Sequence, residues 1–489
     1  MEKAADISPA TAPALLLARA CRPGRTLAAL VVCDLAALTL ATGLAVAVRG
    51  LWPGAMDATL YLKLWPALPL FLLSYKVAGL YPGIWLVPGI AVGPVEELRR
   101  ACIATSLVML ALAASSFITR GAVEYSRAVF LLAWPLAMVA VPLARSLLRA
   151  TCASRAWWGQ PCLVLGAGKT GEMVIAALQR QPGLGLKPVA VLDDAPAGRT
   201  ELAGVPLLEG LHLAAPLAAE ARAAHAIVAM PGQPRDVLLA IAARLEGRIP
   251  HLLIIPDLFG FGSLWVSARN LGGVLGLEVR EELLLPGVLR LKRAADLSLA
   301  VAVGLAALPL SLLVALAIRL DSRGPVIFRQ ERLGQDGRPF RALKFRTMHV
   351  DAEARLGEVL AADADRRDEY ATYHKLRRDP RVTRIGRLLR HLSLDELPQL
   401  WNVLRGDMSL VGPRAYIPAE QPHMHDADAI ILRVPPGITG LWQVSGRNEI
   451  PFAGRLQMDI YYVRNWSLWL DLYILARTPL AIIRRDGAY

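Results

Sequence analysis

Four long apolar runs fill the first 150 residues of the chain, and they constrain its fold more than any other feature. They cover roughly 27–48, 60–81, 101–118 and 126–148. Each run approaches the ~20 residues that an α-helix needs to cross ~30 Å of hydrocarbon. The sequence therefore predicts an N-terminal bundle of four transmembrane helices. The alternative is a buried helical bundle in a soluble protein, which would have to hold four such runs in series inside one core.

Composition and charge agree with a membrane protein of several domains. Of the 489 residues, 55% are hydrophobic and only 19% are charged, against ~45–50% and ~25% in typical soluble domains. Lys and Arg number 54 and Asp and Glu 41, a net charge of +13. This excess indicates an anionic partner such as lipid headgroups, phosphorylated substrates or nucleic acid. Nucleic acid is the weaker interpretation, because no nucleic-acid-binding signature accompanies the charge.

Basic residues flank the apolar runs unevenly. Most of them fall on one side of the predicted membrane: Lys3, Arg19, Arg22, Arg25, Arg99, Arg100, Arg145, Arg149 and Arg155. By the positive-inside rule the N-terminus is cytoplasmic, and four crossings return the chain to the cytoplasm. The five cysteines show no C-x-x-C spacing, so neither a disulfide framework nor a zinc site is expected.

The middle of the chain, 156–280, alternates short apolar runs with amphipathic stretches, which is typical of a parallel α/β sheet. A predicted strand at Cys162–Leu165 leads into a G-x-G-x-x-G turn and a helix, and a second predicted strand ends at Asp193. Glycines at such a turn let the backbone approach a pyrophosphate, and a carboxylate ~20 residues on holds a ribose hydroxyl. The candidate nucleotide-binding residues of this Rossmann-like domain are Gly166, Gly168, Gly171 and Asp193.

A Rossmann-shaped spacer that binds no ligand is the competing interpretation of this domain. A membrane-anchored sugar dehydratase is a further alternative. Such an enzyme would usually add a Tyr-x-x-x-Lys pair, and no tyrosine occurs between Tyr125 and Tyr370, which counts against it.

A fifth apolar run extends from Leu297 to Ile318 and has basic residues at both ends. Pro309 near its middle removes a helical hydrogen bond and kinks the run. Both facts predict a re-entrant membrane helix at about 294–319, which enters and leaves on the same side. A straight fifth span is the alternative, and it would place the C-terminal domain outside.

Two adjacent carboxylates, Asp395 and Glu396, stand out in the last third. Ser393 and Glu396 have the spacing of a capping box, which explains Glu396 by helix initiation but leaves Asp395 unexplained. Neighbouring side chains on a helix point ~100° apart, so different roles are expected. A helix N-terminus favours negative charge, which would keep Asp395 ionised and attract a phosphate. An ionised carboxylate can attack a phosphoryl group, and Glu396 could hold Mg²⁺.

Basic residues near these carboxylates are candidate phosphate ligands, because the arginine fork suits phosphate oxygens. The candidates are Lys344, Arg346, Arg414 and Arg447. For any single arginine in this region, contact with anionic lipid is the open alternative. Asp471 is predicted to be either an active-site residue or the partner of one of the arginines.

Several long motifs occur in order in this third of the chain: Lys344–Met348 (KFRTM), Ser393–Arg414 (SLDELPQLWNVLRGDMSLVGPR), Pro436–Asn448 (PGITGLWQVSGRN) and Arg485–Tyr489 (RDGAY). Together they resemble the bacterial polyprenyl-phosphate sugar-1-phosphate transferases, which are monotopic phosphoglycosyltransferases, and most closely the undecaprenyl-phosphate galactose phosphotransferases among them. The catalytic resemblance covers about 285–489. Large members of that family also carry a four-span bundle and a Rossmann-like domain. One departure is Ala415, which stands after Arg414 where many members have proline.

The resemblance implies that Asp395 is the nucleophile and that Glu396 serves Mg²⁺. It implies transfer of a hexose-1-phosphate, galactose rather than glucose, from a UDP-sugar to undecaprenyl phosphate, with UMP released through a covalent phosphosugar–aspartate intermediate. It also implies a homodimer in the bacterial inner membrane, with the catalytic domain on the cytoplasmic face, that begins O-antigen (lipopolysaccharide), capsular or exopolysaccharide synthesis. No residue decides between the two sugars, and a non-catalytic membrane nucleotide sensor is the alternative from another class.

These observations predict three domains. They are a transmembrane four-helix bundle at 1–155, a Rossmann-like cytoplasmic domain at 156–280 and a mixed α/β monotopic catalytic domain at 281–489 that contains the re-entrant helix.

Overall fold

The computed structural model describes residues 11–53, 57–81, 93–118, 125–196, 198–256, 266–271, 274–279, 283, 286–352, 354, 356–357, 361, 367, 379–446 and 450–483. The chain forms two compact units, Met1–Phe259 and Gly260–Tyr489. The first unit contains both the apolar N-terminal helices and the α/β sheet, so the predicted boundary at 155 lies inside it.

The helices of the first unit are α1 (Ala12–Ala20), α2 (Pro23–Gly50), α3 (Leu68–Val77), α4 (Pro94–Ile118), α5 (Arg127–Cys152), α6 (Lys169–Arg180), α7 (Ala214–Ala221) and α8 (Arg235–Leu245). Among the described residues of the whole chain, four helical stretches are long and apolar enough to cross a membrane: Ala12–Gly50, Pro94–Ser115, Arg127–Cys152 and Gly287–Asp321. The protein is therefore membrane-associated, as predicted. The first three stretches contain the first predicted span and most of the third and fourth.

The second predicted span, 60–81, takes a different form. A 3₁₀ helix at Ala58–Ala67 leads into α3, which has only ten residues. Pro66 and Pro69 account for the change, because proline lacks an N–H donor and its ring clashes with the carbonyl four residues earlier. The prediction of a second long α-helix is wrong, although α3 still packs in one core with α2, α4 and α5.

The apolar bundle contains a buried ion network. The Arg145 guanidinium on α5 donates to both carboxylate oxygens of Asp34 on α2, at 2.7 and 2.5 Å, and to Glu97 on α4 at 3.0 Å. The Tyr81 hydroxyl donates to Asp34 at 2.6 Å. The side chains of Arg145 and Asp34 are fully buried. Buried charges are stable only when each is paired, so the network fixes how three helices meet.

The α/β part is a six-stranded sheet of β1 (Gln160–Leu165), β2 (Leu186–Asp193), β3 (Glu201–Leu202), β4 (Val205–Glu209), β5 (His225–Val228) and β6 (His251–Ile254). The strand order is β3-β4-β2-β1-β5-β6, and all pairs are parallel except β3 with β4. Both predicted strands and the helix after the glycine-rich turn are confirmed. Sequence reasoning missed α1, which packs Ala14, Leu15 and Ala18 into the core of this sheet.

The second unit contains β7 (Val266–Leu271), β8 (Val274–Val279), α9 (Pro286–Asp321), β9 (Ile327–Leu333), β10 (Pro339–Phe345), α10 (Arg384–His391), α11 (Gln399–Arg405), β11 (Ser409–Val411), α12 (Asp428–Ile431), β12 (Gly437–Thr439), α13 (Leu441–Ser445), α14 (Phe452–Arg464) and α15 (Leu468–Ile483). The strands form small two-stranded sheets: β7 with β8 and β9 with β10 are antiparallel, and β11 with β12 is parallel. The unit is mixed α/β, as predicted.

Both ends of the long helix α9 are fastened to this same unit. Near its start, Arg293 donates to the carbonyl oxygens of Val403 and Leu404 at 2.6 and 3.0 Å. At its end, the Asp321 carboxylate accepts the backbone N–H of Ile385 at 3.1 Å. Between these anchors α9 exposes a row of large apolar side chains: Leu299, Val301, Val303, Leu305, Leu308, Leu310, Leu312, Leu313 and Leu316. Such a surface suits hydrocarbon.

Candidate active site

The adjacent carboxylates Asp395 and Glu396 lie on a single 3₁₀ turn, Leu394–Glu396, between α10 and α11. The predicted capping box is wrong. Ser393 has a φ of 53°, in the left-handed region, and its side chain makes no capping hydrogen bond. An N-cap residue needs extended backbone angles, whereas Ser393 still donates its N–H to Arg390 at the end of α10.

Burial dominates the electrostatics of Asp395. Desolvation, and after it the neighbouring charge of Glu396, raise the pKa of its carboxyl group to about 6, although Lys344 and Arg390 act to lower it. The sequence predicts that a helix N-terminus keeps Asp395 ionised. In the structure, nearby cations instead offset a burial that favours the neutral acid. At pH 7 the group is largely ionised, with a pKa close to the working pH of an enzyme.

Lys344 and Arg390 are the cations that act on Asp395. The Lys344 ammonium, on β10, pairs with the Glu396 carboxylate at 2.8 Å. The Arg390 guanidinium, on α10, donates to the Thr347 hydroxyl at 2.9 Å. The sequence predicted Lys344 as a site residue but not Arg390. The position of Arg390, five residues before Asp395, was the sequence signal that could have identified it.

Arg346, a predicted phosphate ligand, has other partners. The residue is 6% exposed, and its guanidinium donates to the carbonyl oxygens of Ser322 and Arg323 just after α9, at 2.7 and 2.8 Å. These carbonyls have no helical partner, so a guanidinium satisfies them well. Such contacts favour a role in fixing the end of α9 over the predicted contact with phosphate.

Arg414 lies on the turn after β11, in the Gly-Pro-Arg motif. Its backbone N–H and the Tyr416 hydroxyl both donate to the Asp459 carboxylate, at 3.1 and 2.8 Å. Asp459 is fully buried, and desolvation raises its pKa to about 7. Sequence reasoning missed Asp459, which holds the turn that presents Arg414. The fourth predicted ligand, Arg447, lies outside the described residues.

Asp471 is buried and pairs with a lysine. Its carboxylate accepts from the Lys292 ammonium at 2.7 Å, the Tyr462 hydroxyl at 2.8 Å and the Trp466 ring N–H at 3.1 Å. Among the described residues, the ion-pair partner of Asp471 is thus a lysine on α9, where the sequence predicted an arginine as one of two possible roles. Desolvation raises the pKa of Asp471, while Lys292 lowers it. The cluster ties the start of α9 to α14 and α15.

In the predicted nucleotide site of the α/β sheet, the candidate residues bond to the glycine-rich turn itself. The Asp193 carboxylate accepts the backbone N–H of Ala167 in the glycine-rich turn at 2.6 Å, and the Arg199 guanidinium donates to the Ala167 carbonyl at 2.9 Å. Gly166 has a φ of 108°, and a Cβ on Gly171 would collide with the Gly166 carbonyl. Two glycines therefore serve the turn itself, whereas a Cβ on Gly168 would meet open space. A phosphate would have to compete with Asp193 for the N–H of Ala167.

Magnesium fits the carboxylate pair only in a limited sense. Among the described residues, no group of three His, Cys, Asp or Glu side chains could hold a metal ion. Mg²⁺ is commonly held by one or two carboxylates plus substrate phosphates, and the second oxygen of Glu396 is not used by Lys344. The two carboxylates could therefore hold a metal that arrives with a phosphorylated substrate.

The fold and the site define a class: membrane-associated proteins whose mixed α/β unit holds two adjacent carboxylates beside clustered cations. The sequence profile of the family described as "Bacterial sugar transferase" matches residues 288–485. The chain is 37% identical over 401 residues to the "UDP-galactose-lipid carrier transferase" of Erwinia amylovora, which covers 81% of this chain and 82% of that protein. It therefore belongs to the bacterial sugar transferase family, and it is a transferase.

Two further relatives carry related names. The "Undecaprenyl-phosphate galactose phosphotransferase" of Salmonella typhimurium is 31% identical over 75% of this chain and 77% of its own length. The "UDP-glucose:undecaprenyl-phosphate glucose-1-phosphate transferase" of Escherichia coli is 34% identical over 67% of this chain and 68% of its own length. A profile described as "CoA-binding domain" matches residues 88–256.

Proposed function

We propose that this transferase moves a hexose-1-phosphate, with galactose as the sugar, from a UDP-sugar to undecaprenyl phosphate and releases UMP. The observation that carries the proposal is Asp395, a partly buried carboxylate whose charge is balanced by Lys344 and Arg390. Galactose is favoured because two of the similar relatives are named for it.

The proposed reaction has two steps. A carboxylate oxygen of Asp395 attacks the phosphorus that bears the sugar, and the bond from this phosphorus to the bridging oxygen breaks, so that UMP leaves. An oxygen of the lipid phosphate then attacks the same phosphorus, and the carboxylate is regenerated. The ammonium of Lys344 and the guanidinium of Arg390 offset the negative charge that collects on the phosphoryl oxygens. Mg²⁺, when bound beside Glu396, would neutralise part of the diphosphate charge.

Two sets of contacts support a re-entrant form of α9. Arg293 is bonded to Val403, and Ile318 belongs to an apolar cluster that Leu397 contacts. A straight helix would separate Arg293 and Ile318 by about 37 Å at ~1.5 Å per residue. Val403 and Leu397 lie only about 9 Å apart along one helical stretch by the same rule. A bend at Pro309 would reconcile these distances, and both ends of α9 would then meet the catalytic unit on one side of the membrane.

The remaining predictions belong to the same proposal. The enzyme lies in the bacterial inner membrane with its catalytic unit on the cytoplasmic face, where UDP-sugars are made, and it acts as a homodimer. Its product begins O-antigen, capsular or exopolysaccharide synthesis. The proposed reaction steps do not require a ligand bound to the Rossmann-like part.

UMP release from UDP-galactose and UDP-glucose, each with undecaprenyl phosphate and Mg²⁺, tests the substrate assignment. We expect kcat/KM to be at least ~10-fold higher for UDP-galactose, the discrimination that ~1.4 kcal/mol gives. Equal or greater efficiency with UDP-glucose would contradict galactose and leave the reaction type intact. No release with either sugar would contradict the proposed function and favour the nucleotide sensor.

The pH dependence of kcat/KM should show an acid limb set by Asp395. Because the nucleophile must be ionised, activity should fall as the pH drops through about 6, the raised pKa of this carboxyl group. Lys344→Gln removes a charge that lowers this pKa, so the limb should move to higher pH. Arg405→Gln, at an exposed position on α11, should leave the limb in place. A limb that stays put in Lys344→Gln would contradict the assignment.

A further inference from the structure

Three arginines that are distant in sequence come together beside the predicted site. The guanidinium carbons of Arg414 and Arg455 lie 5.6 and 5.2 Å from the ring centroid of Trp442, so both cations contact one indole. The Arg332 guanidinium donates to the carbonyl of Ala415, the residue after Arg414, at 2.9 Å. Neither Arg332 nor Arg455 belongs to the set of phosphate ligands that the motifs predict.

One ion pair serves the three cations of this cluster in the described part of the chain. In the described part of the chain, Glu420 is the carboxylate within ion-pair distance of the three, at 3.5 Å from Arg414, and it also accepts the backbone N–H of Ile417. Burial lowers the pKa of Arg332 and of Arg455, and the charge of Arg414 lowers both further, whereas Glu420 acts in the opposite direction on both. Cations held this close repel one another unless an anion joins them.

Donors are left over for such an anion. Arg455 uses its Nε to donate to the carbonyl of Ile450 at 2.9 Å, and its terminal Nη atoms have no hydrogen-bond partner among the residues that the structure describes. Arg332 differs, because its two Nη atoms donate to Ala415 and to Gln330. Arg455 is thus placed to bind a ligand beside Arg414, and Arg332 to hold the turn that carries Arg414.

The cluster belongs to the same surface as the carboxylate pair. In the β9–β10 hairpin, Arg332 pairs with Phe340 and Lys344 with Phe328. Residues two apart on a strand, and residues directly opposite across a pair, share a face. Arg332 and Lys344 therefore lie on one face, with Lys344 bonded to Glu396 at one end and Arg332 bonded beside Arg414 at the other.

We infer that Arg414 and Arg455 form a second anion subsite that binds a phosphate group of a substrate, with Arg332 as the positioning residue. This inference rests on the proposed function, in which two phosphorylated substrates meet the enzyme. The bound group is either the nucleotide-side phosphate of the donor or the phosphate of the acceptor lipid. Both present the same oxygens to a guanidinium fork.

The test is steady-state kinetics of the full-length enzyme in detergent, with UMP release as the readout and each substrate varied in turn. Arg455→Gln should raise one KM at least ~10-fold, the loss expected for a charge-assisted hydrogen bond, while kcat changes less. Arg455→Lys keeps the charge but loses the guanidinium fork, so its KM should lie between those of the wild type and Arg455→Gln. Arg433→Gln is the matched control, because Arg433 is exposed and also donates its Nε to a backbone carbonyl, that of Ala429.

Each outcome decides the inference. A higher KM for the UDP-sugar assigns the subsite to the donor, and a higher KM for undecaprenyl phosphate assigns it to the acceptor. If both KM values of Arg455→Gln lie within twofold of those of the Arg433→Gln control, and its circular dichroism matches the wild type, the subsite is overturned. The proposed function still stands in that case, because the wild type releases UMP. If Arg455→Gln fails to fold, Arg455→Lys decides in the same way. If the wild type releases no UMP, the proposed function fails first.

Discussion

Asp395→Asn is expected to lower UMP release by at least ~10³-fold, because a carboxamide cannot replace an ionised nucleophile. The substitution keeps the size of the side chain, and it removes a charge that is costly at this partly buried position, so the protein should fold normally. The measurement is UMP formed per enzyme from UDP-galactose, with Mg²⁺ and undecaprenyl phosphate.

The matched control for this variant is Asp426→Asn, at an exposed position of the same unit. It removes one negative charge that does not belong to the carboxylate pair, and it should retain wild-type turnover. Undiminished UMP release by Asp395→Asn would remove Asp395 as the nucleophile. In that case Glu396 would become the next carboxylate to test.

Arg145→Leu is expected to cost about 3–5 kcal/mol of stability, the range found when one partner of a buried ion pair is removed. The variant leaves the Asp34 carboxylate buried in an apolar bundle without its guanidinium partner. Thermal unfolding in detergent should show a transition many degrees below that of the wild type. Because the network lies in the first unit, the loss should occur with or without substrate.

The double variant Asp34→Leu with Arg145→Leu separates lost charge from lost packing. It removes both buried charges, and Glu97 keeps its bond to Arg149 at 2.7 Å. We expect it to recover much of the stability, since apolar replacement of a whole buried pair is often neutral. Arg127→Leu, at an exposed position at the start of α5, is the control. A single Arg145→Leu variant as stable as this control would contradict the role assigned to the network.

The sequence predicts those parts of the fold that depend on local pattern. Apolar length identified α2, α4 and α5, and strand followed by a glycine-rich turn identified β1 and α6. Prolines at 66 and 69 were also visible, and they account for the shortened α3. The docking of α1 on the sheet left no such trace, because its partners are residues more than 140 positions away.

The candidate site also has parts that local sequence motifs predict and parts that depend on packing. The dyad and Lys344 belong to continuous motifs, so their presence could be predicted, whereas the bond between Lys344 and Glu396 depends on how β10 meets the 3₁₀ turn. Ser393 shows the limit of a pattern, since its spacing matches a capping box and its backbone is left-handed. Arg455 and Asp459 are separated from Arg414 by more than 40 residues, and only the packing of α14 brings them to it.

The most direct test of a covalent phosphosugar–aspartate intermediate is UMP release without any acceptor lipid. With UDP-galactose and Mg²⁺ alone, the wild type should release about one UMP per active site in a burst. Mass spectrometry should then find the hexose-phosphate mass on the peptide that contains Asp395, and Asp395→Asn should show neither signal. UMP release that begins only when undecaprenyl phosphate is added, with no adduct on this peptide, would contradict the account and indicate direct transfer between the two substrates.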